Sequence, residues 1–367
     1  MSLVFKHKNV AFSLSVSEIE NQDLEQKIEL ALKDVFKGFI SCDSEQIALE
    51  FMFTDKINSF ITAQEFVRVK DVKVGKTQTH FKDNELNFLI DNSNPFKVYI
   101  NVSDNETLKS SLRIFNKAFK NNIELQITTF YYRIFLLFTQ IWNLENECSY
   151  IHASAVEVNG KSILFSADSG VGKSSLLFKL SQDDTVKFIA DDLTIISNQA
   201  ESYYQGRCLS VKPYHLNFYG FLTDLVSSLM SSMQKLQWKF INDNRLTYRI
   251  SPTDLFANIS EKSKVKSIIH LCNHDKDTFE IKDITTEELL NFTIPILTNE
   301  LFLANYKVNT LASLPNTPFQ STTKIYKESE DVFNSAFKHA SLKLVFVPYM
   351  SNPNDLYDFL KKEGCLN

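Results

Sequence analysis

Ala167, Gly172, Lys173 and Ser174 stand at the spacing [Ala/Gly]-x-x-x-x-Gly-Lys-[Ser/Thr] within "SILFSADSGVGKSSLLFKL", Ser162 to Leu180. An apolar run precedes the loop and a second follows it, so the pattern predicts strand, loop and helix, the context in which such a loop cradles phosphate. Backbone N–H groups of Ser169, Gly170, Val171, Gly172, Lys173, Ser174 and Ser175 are the candidate cradle, and a helix N-terminus near Lys173 adds favourable partial charge. Lys173 is placed to reach β- and γ-phosphates, and the Ser174 hydroxyl to ligate Mg²⁺. The chain has only 8 glycines, yet Gly160, Gly170 and Gly172 share this short region, which marks a backbone with special dihedral needs.

Transfer of a phosphoryl group also needs a carboxylate for the metal and gains from a base for the attacking hydroxyl. "KFIADDL" supplies Asp191 and Asp192 at the end of an apolar strand, where a neighbouring strand delivers acids to the loop. On an extended segment adjacent side chains point to opposite faces, so one acid faces the metal and the other faces elsewhere unless the chain bends. Asp191 is the expected base and Asp192 the expected metal ligand. Asp183 and Asp184 sit at a helix end and read as a solvated turn. Arg207, Lys212, Arg245 and Arg249 are the cations available to stabilise transferred charge.

These groups need elements to hold them. "AVEV", then Asn159-Gly160, then "KSILFS" predicts a hairpin with a type I′ turn whose second strand runs into the loop. "SSLLFKL" reads as a helix, and "VKFIA" and "LTIIS" as strands. "RCLSVKPYHLNFYGFLTDLVSSLM" reads as strand, loop and helix. "SIIHLCN", "TFEIKDI" and "LKLVFVPYM" read as strands. "TTEELLNF" reads as a helix capped near Thr285 or Thr286, and "NPNDLYDFLKKEG" as a helix ended by Gly364. "ITTFYYRIFLLFTQIWNL", Ile127 to Leu144, reads as a buried helix with an aromatic core stripe. Upstream, "LVFKH" and "VAFSLSV" read as strands. The stretch containing Leu24, Ile28, Leu30, Leu32, Val35 and Phe36 reads as a helix ending near Gly38. "NFLIDNSNPFKVYINV" reads as two strands about a turn, and "NETLKSSLRIFNKAFKNN" as a helix.

A net charge of −5 offers no basic face, so nucleic acid is not an expected partner. Five widely spaced cysteines with no C-x-x-C read as free thiols of a reducing compartment. No stretch is apolar and long enough to span a membrane, and "MSLVFKHKNVAFSLSV" lacks the apolar core of a signal peptide, so a cytoplasmic location is expected.

"IHASAVEVNGKSILFSADSGVGKSSLLFKL" followed by "FIADD" resembles the HPr kinase/phosphorylase family and its divergent relatives. The resemblance covers about Ile151 to Ile196 and continues more weakly to about Ile281. It implies an α/β fold with a mixed α+β sheet, a P-loop core of the phosphoenolpyruvate-carboxykinase/HPr-kinase type. It also implies ATP and Mg²⁺ as cofactors, phosphorylation of a serine hydroxyl, and His152 near the transferred phosphate. Ala167 replaces the first loop glycine, and Ser175 the acidic residue that often follows the loop serine. The Glu-x-Arg-Gly-x-Gly stretch linked to phosphorolysis is absent, "YQGRCLS" being at most a remnant. The relatives most similar in kind are stand-alone kinases of precursor-peptide serines. The expected function is therefore ATP-dependent transfer to a serine or other hydroxyl of a peptide or protein. A small-molecule kinase and a nucleotide-hydrolysing switch or assembly module are the alternatives. The division expected is 1–125, an accessory α+β domain for acceptor recognition or homo-oligomer assembly, and 126–367, the catalytic domain. Phe- and Leu-rich stretches in 1–125 offer an apolar contact surface.

Overall fold

The computed structural model describes the chain except residues 1, 9, 44–45, 83–86, 93–95, 104–121, 241–246, 302–307, 314–319, 350 and 367. The helix expected over 105–122, the turn at 93–95 and Arg245 thus fall almost wholly outside the described residues. The protein is mixed α/β and divides into two compact units, Met1–Leu137 with Leu303–Ile325, and Phe138–Phe302 with Tyr326–Asn367. The boundary expected at 125/126 lies inside the helix Asn122–Phe130, and the chain changes unit at Leu137/Phe138. No described helix is long and apolar enough to cross a membrane.

In the first unit eight strands form one mixed sheet. They are β1 (Ser2–His7), β2 (Val10–Val16), β3 (Ile47–Thr54), β4 (Val67–Val69), β5 (Val72–Val74), β6 (Gln78–Lys82), β7 (Asn87–Asp91) and β8 (Phe96–Asn101), in the order β1-β2-β3-β8-β7-β6-β5-β4. The β2–β3 and β3–β8 pairs are parallel and the others antiparallel. The helix Gln22–Phe36 starts where the Asn21 side chain accepts from the N–H groups of Asp23 and Leu24. It buries Leu24, Ile28, Ala31, Leu32, Val35 and Phe36, the i, i+4, i+7, i+8 stripe of an amphipathic helix. Leu30, expected on that stripe, is exposed, because six residues on from Leu24 the helix has turned to its outer face. Several phenylalanines of the stretches expected to offer a contact surface belong to the core. Phe12, Phe36, Phe51 and Phe53 are fully buried, and Phe12 and Phe36 meet Phe135 edge-on at 5.1 and 5.2 Å. The helical run Asn122–Glu145 contains a π-helical turn at Tyr131–Phe135, which rotates the aromatic stripe as it passes.

The second unit holds the loop. Its sheet contains β9 (Cys148–Val158), β10 (Lys161–Ala167), β11 (Lys187–Ala190), β12 (Leu193–Ser197), β13 (Glu201–Tyr203), β16 (Asn258–Ile259), β17 (Lys262–His274), β18 (Glu280–Asp283) and β19 (Ser341–Pro348), while β14 (Leu209–Val211) and β15 (Tyr248–Ile250) pair separately. β9 carries β10 on one edge, and β11 and β12 end to end on the other. β10 runs parallel to β17, β17 pairs with β13, β13 with β12, and β12 with β9, so the pairings close into a five-strand ring. β9 and β10 are almost entirely buried, which explains their continuous apolar and small-residue sequences.

The hairpin expected at Asn159-Gly160 is present. Val158 pairs with Lys161 across the two residues, whose φ angles are 52° and 77°, as a type I′ turn requires. Gly160→Ala is expected to destabilise the fold by about 1 kcal/mol, because an L side chain is disfavoured at that φ. A denaturant titration checks it, and an unchanged midpoint would contradict the turn assignment.

Candidate active site

β10 ends at Ala167 and the chain turns through Asp168–Gly172 into the helix Lys173–Leu180. Gly170 and Gly172 have φ of 90° and 113°, the left-handed region where a side chain is strained, so both glycines are required by the path. Ala167 ends the strand with ordinary φ, so its methyl costs nothing there. Among the described residues, the N–H groups of Gly170, Val171, Gly172, Lys173 and Ser174 have no backbone partner. They form a run of donors around the turn. Ser169 N–H instead donates to Asp168 Oδ1 at 2.7 Å. Lys173 is buried, and its Nζ donates to the carbonyls of Ala167 and Asp168 at 2.8 and 3.0 Å. Burial pushes the Lys173 ammonium pKa below its usual value, opposed by the charges of Asp192 and Asp191.

β11 delivers the acids. Leu193 N–H donates to the Asp191 carbonyl at 2.8 Å, a three-residue turn centred on Asp192, whose φ is 63°. The chain bends here, the one case in which adjacent acids on a strand need not face apart, and Asp191 and Asp192 line the same cavity. Aspartate is among the few residues that tolerate this dihedral.

The two acids have different surroundings. Asp191 is buried, accepts from Ser154 Oγ at 2.7 Å, and has Ser174 Oγ 3.5 Å from its Oδ2. Burial raises its pKa, and the like charge of Asp192 raises it further. Asp192 is partly exposed and pairs with Arg207 Nη2 at 2.9 Å. Burial alone would raise Asp192, but the charge of Arg207, with that of Lys173 behind it, outweighs burial and holds the carboxyl low.

His152 sits on β9 opposite Leu193, the residue after the acids, and Ser154 is two positions on, so both share a strand face. The His152 ring is buried and neither nitrogen has a hydrogen-bond partner among the described residues, Glu300 Oε2 approaching Nδ1 only to 3.8 Å. Burial, then the Lys173 charge, push its pKa down to about 3, so the ring is neutral at physiological pH.

These groups line one cavity of about 240 Å³. Of the expected residues, His152, Ser169, Gly170, Gly172, Lys173, Ser174, Ser175, Asp191 and Asp192 all line it, whereas Val171 contributes only its N–H to the loop. Arg207 and Lys212 line it as well, and Arg249 does not. Asp183 caps its own turn through Thr185, away from the cavity, as expected of a solvated turn. Among the side chains unread in sequence are Ser154, which bonds Asp191, and Glu300 and His215 of the cavity wall. Ser154 was findable from the His-x-Ser alternation of a strand. Glu300 closes the helix Thr286–Glu300, and nothing local marks it for the cavity.

No protein-family model matches the chain. No curated protein matches it either. Among solved structures, one described as the Hpr(Ser) kinase/phosphatase from Coxiella burnetii aligns over 59% of this chain and 97% of its own, at 10% identity and a TM-score of 0.28.

Proposed function

We propose that the chain is an ATP-dependent, Mg²⁺-requiring kinase that transfers the γ-phosphate to a serine or other hydroxyl of a peptide or protein. The observation that carries this reading is the approach of Ser174 Oγ, at the head of the loop helix, to 3.5 Å from Asp191, with Asp192 turned into the same cavity. The residues fit the nucleotide and its metal: a run of unpaired N–H groups, a lysine beside them, and a hydroxyl and carboxylate side by side. Bound Mg²⁺–ATP would supply the transferable phosphoryl group and neutralise its charge.

The side chains divide the work. The loop N–H groups and Lys173 hold phosphate oxygens, Lys173 exchanging its carbonyl partners for them. Ser174 and Asp191 hold the metal. This reverses the order expected from sequence, because Asp191 is the acid beside Ser174. Asp192, more open and outside that pair, accepts the proton of the attacking hydroxyl, and Arg207 orients it. Neutral His152 offers a hydrogen bond near the transferred group without adding charge. The pair of acids beside the loop favours transfer to a hydroxyl over a slow hydrolytic switch. We assign acceptor recognition or assembly to the N-terminal third.

The test is to incubate the protein with Mg²⁺ and γ-labelled ATP in lysate of its own source, and to identify the labelled species by mass spectrometry. A phosphoserine peptide or protein, lost without Mg²⁺, is the expected product. Label recovered only as inorganic phosphate would favour the switch, and label on a metabolite would favour a small-molecule kinase.

A further inference from the structure

The turn Lys212–His215 forms a cavity wall that the assignments above leave without a task. Lys212 N–H donates to His215 Nδ1 at 3.0 Å, and His215 N–H donates to the Lys212 carbonyl at 3.0 Å. A ring nitrogen that accepts carries no proton, so a neutral imidazole held this way keeps its proton on Nε2. Burial, and then the Lys212 charge, hold the ring neutral. The ring is 1% exposed and is flanked by Phe178 at 4.8 Å and Tyr214 at 4.1 Å, which set its orientation. Its Nε2–H is thus a donor of settled tautomer on a ring that lines the cavity, and it has no acceptor among the described residues. Buried donors are almost always satisfied, so one left over at a cavity wall calls for an acceptor from a ligand.

Lys212 lines the same cavity; its ammonium makes no close ion pair among the described residues, although its charge is felt by Asp192. Asp192 is taken by Arg207, and Asp191 by Ser154 and Ser174. The wall is also tied to the loop helix: Tyr219 Oη donates to the Ser175 carbonyl at 2.8 Å, and Phe178, under the His215 ring, lies one turn beyond Ser175. A ring nitrogen that only donates and an ammonium that only donates, on residues lining one cavity, select an oxygen that only accepts. Phosphate oxygens have that character, and the adjacent loop is built for them.

The geometry points to a second anion subsite, made of the Lys212 ammonium and His215 Nε2–H, that takes a phosphate oxygen of the bound nucleotide opposite the loop. This rests on the nucleotide-binding reading above.

Calorimetric titration of the full chain with Mg²⁺–ATP tests it, together with a heteronuclear NMR measurement of the His215 tautomer. His215→Phe keeps the ring shape and removes the donor, and should weaken binding about tenfold or more, as loss of a hydrogen bond to a charged group does. His215→Gln returns an N–H near the Nε2 position and should recover most of that loss. Lys212→Met should weaken binding and flatten its dependence on salt. NMR should find the proton on Nε2 before nucleotide is added, with its exchange slowed afterwards. If the wild-type chain binds Mg²⁺–ATP and His215→Phe binds it equally well, this subsite is wrong and the kinase reading stands. If the wild-type chain does not bind, the kinase reading falls and takes the subsite with it. Should His215→Phe fail to fold, unchanged affinity in Lys212→Met or a proton on Nδ1 would overturn the subsite.

Discussion

Lys173→Ala is expected to lower phosphoryl transfer at least about a hundredfold, since one preorganised charge on a transferring group is commonly worth ~3 kcal/mol or more. The fold should survive. Among the described residues Lys173 Nζ bonds only to two carbonyls of its own loop, Ala167 and Asp168, and its ammonium is buried at an energetic cost. Alanine removes that cost while leaving the carbonyls able to meet water. Steady-state transfer to any accepting peptide, run beside a melting curve, checks both halves. Wild-type turnover in Lys173→Ala would remove the loop from the mechanism.

Asp191→Asn is expected to abolish Mg²⁺-dependent transfer and yet to melt at a higher temperature than the wild-type chain near pH 7.5. The Asp191 carboxyl is raised in the folded chain, first by burial and then by Asp192. A carboxyl raised on folding favours the fold while it is protonated, and that contribution is lost as pH rises through the folded value of about 6. Asparagine cannot ionise, still accepts from Ser154, and escapes the loss, so the gap in melting temperature should shrink towards pH 4. Asp192→Asn should behave oppositely. Its carboxyl is held low by Arg207 and Lys173 against burial, so its ionised form stabilises the fold above the ordinary carboxylate range and that support fades as pH falls. Asp192→Asn should leave nucleotide binding intact, lower kcat, and melt earlier at neutral pH. Wild-type activity in both variants would end the hydroxyl-transfer mechanism.

The loop, its flanking strand and helix, and the hairpin were legible because each is specified by neighbours in the chain. Two glycines at positive φ, an Asn-Gly pair and an apolar run state their own geometry. Thr285 announced its helix in the same way, through a reciprocal bond with Glu288. What sequence could not show was the turn at Asp192, where a non-glycine residue takes a left-handed φ and cancels the alternation of the strand. That bend decides that both acids face one cavity and that Asp191 is the one beside Ser174. Glu300 was equally hidden, since the end of a helix more than a hundred positions beyond the loop reaches the cavity only through the tertiary fold. Leu30 shows the smaller version of the same limit: hydrophobicity alone put it on a stripe that helical geometry denies it.

The order of strands around β9 also sets an order in time. β9 and β10 meet across two residues, a closure of the microsecond class, and β11 and β12 come next in the chain and lie along the same β9. The parallel pairing of β10 with β17, by contrast, joins Ser166 to His270, 104 positions apart, and must wait for a large loop to close. Everything that brings Ser174 and Asp191 together therefore lies between Cys148 and Ser197. A nascent chain that has cleared the ribosome as far as Ser197 already carries Ser174 and Asp191 together with the strands that hold them, before the strand that completes the ring has been synthesised.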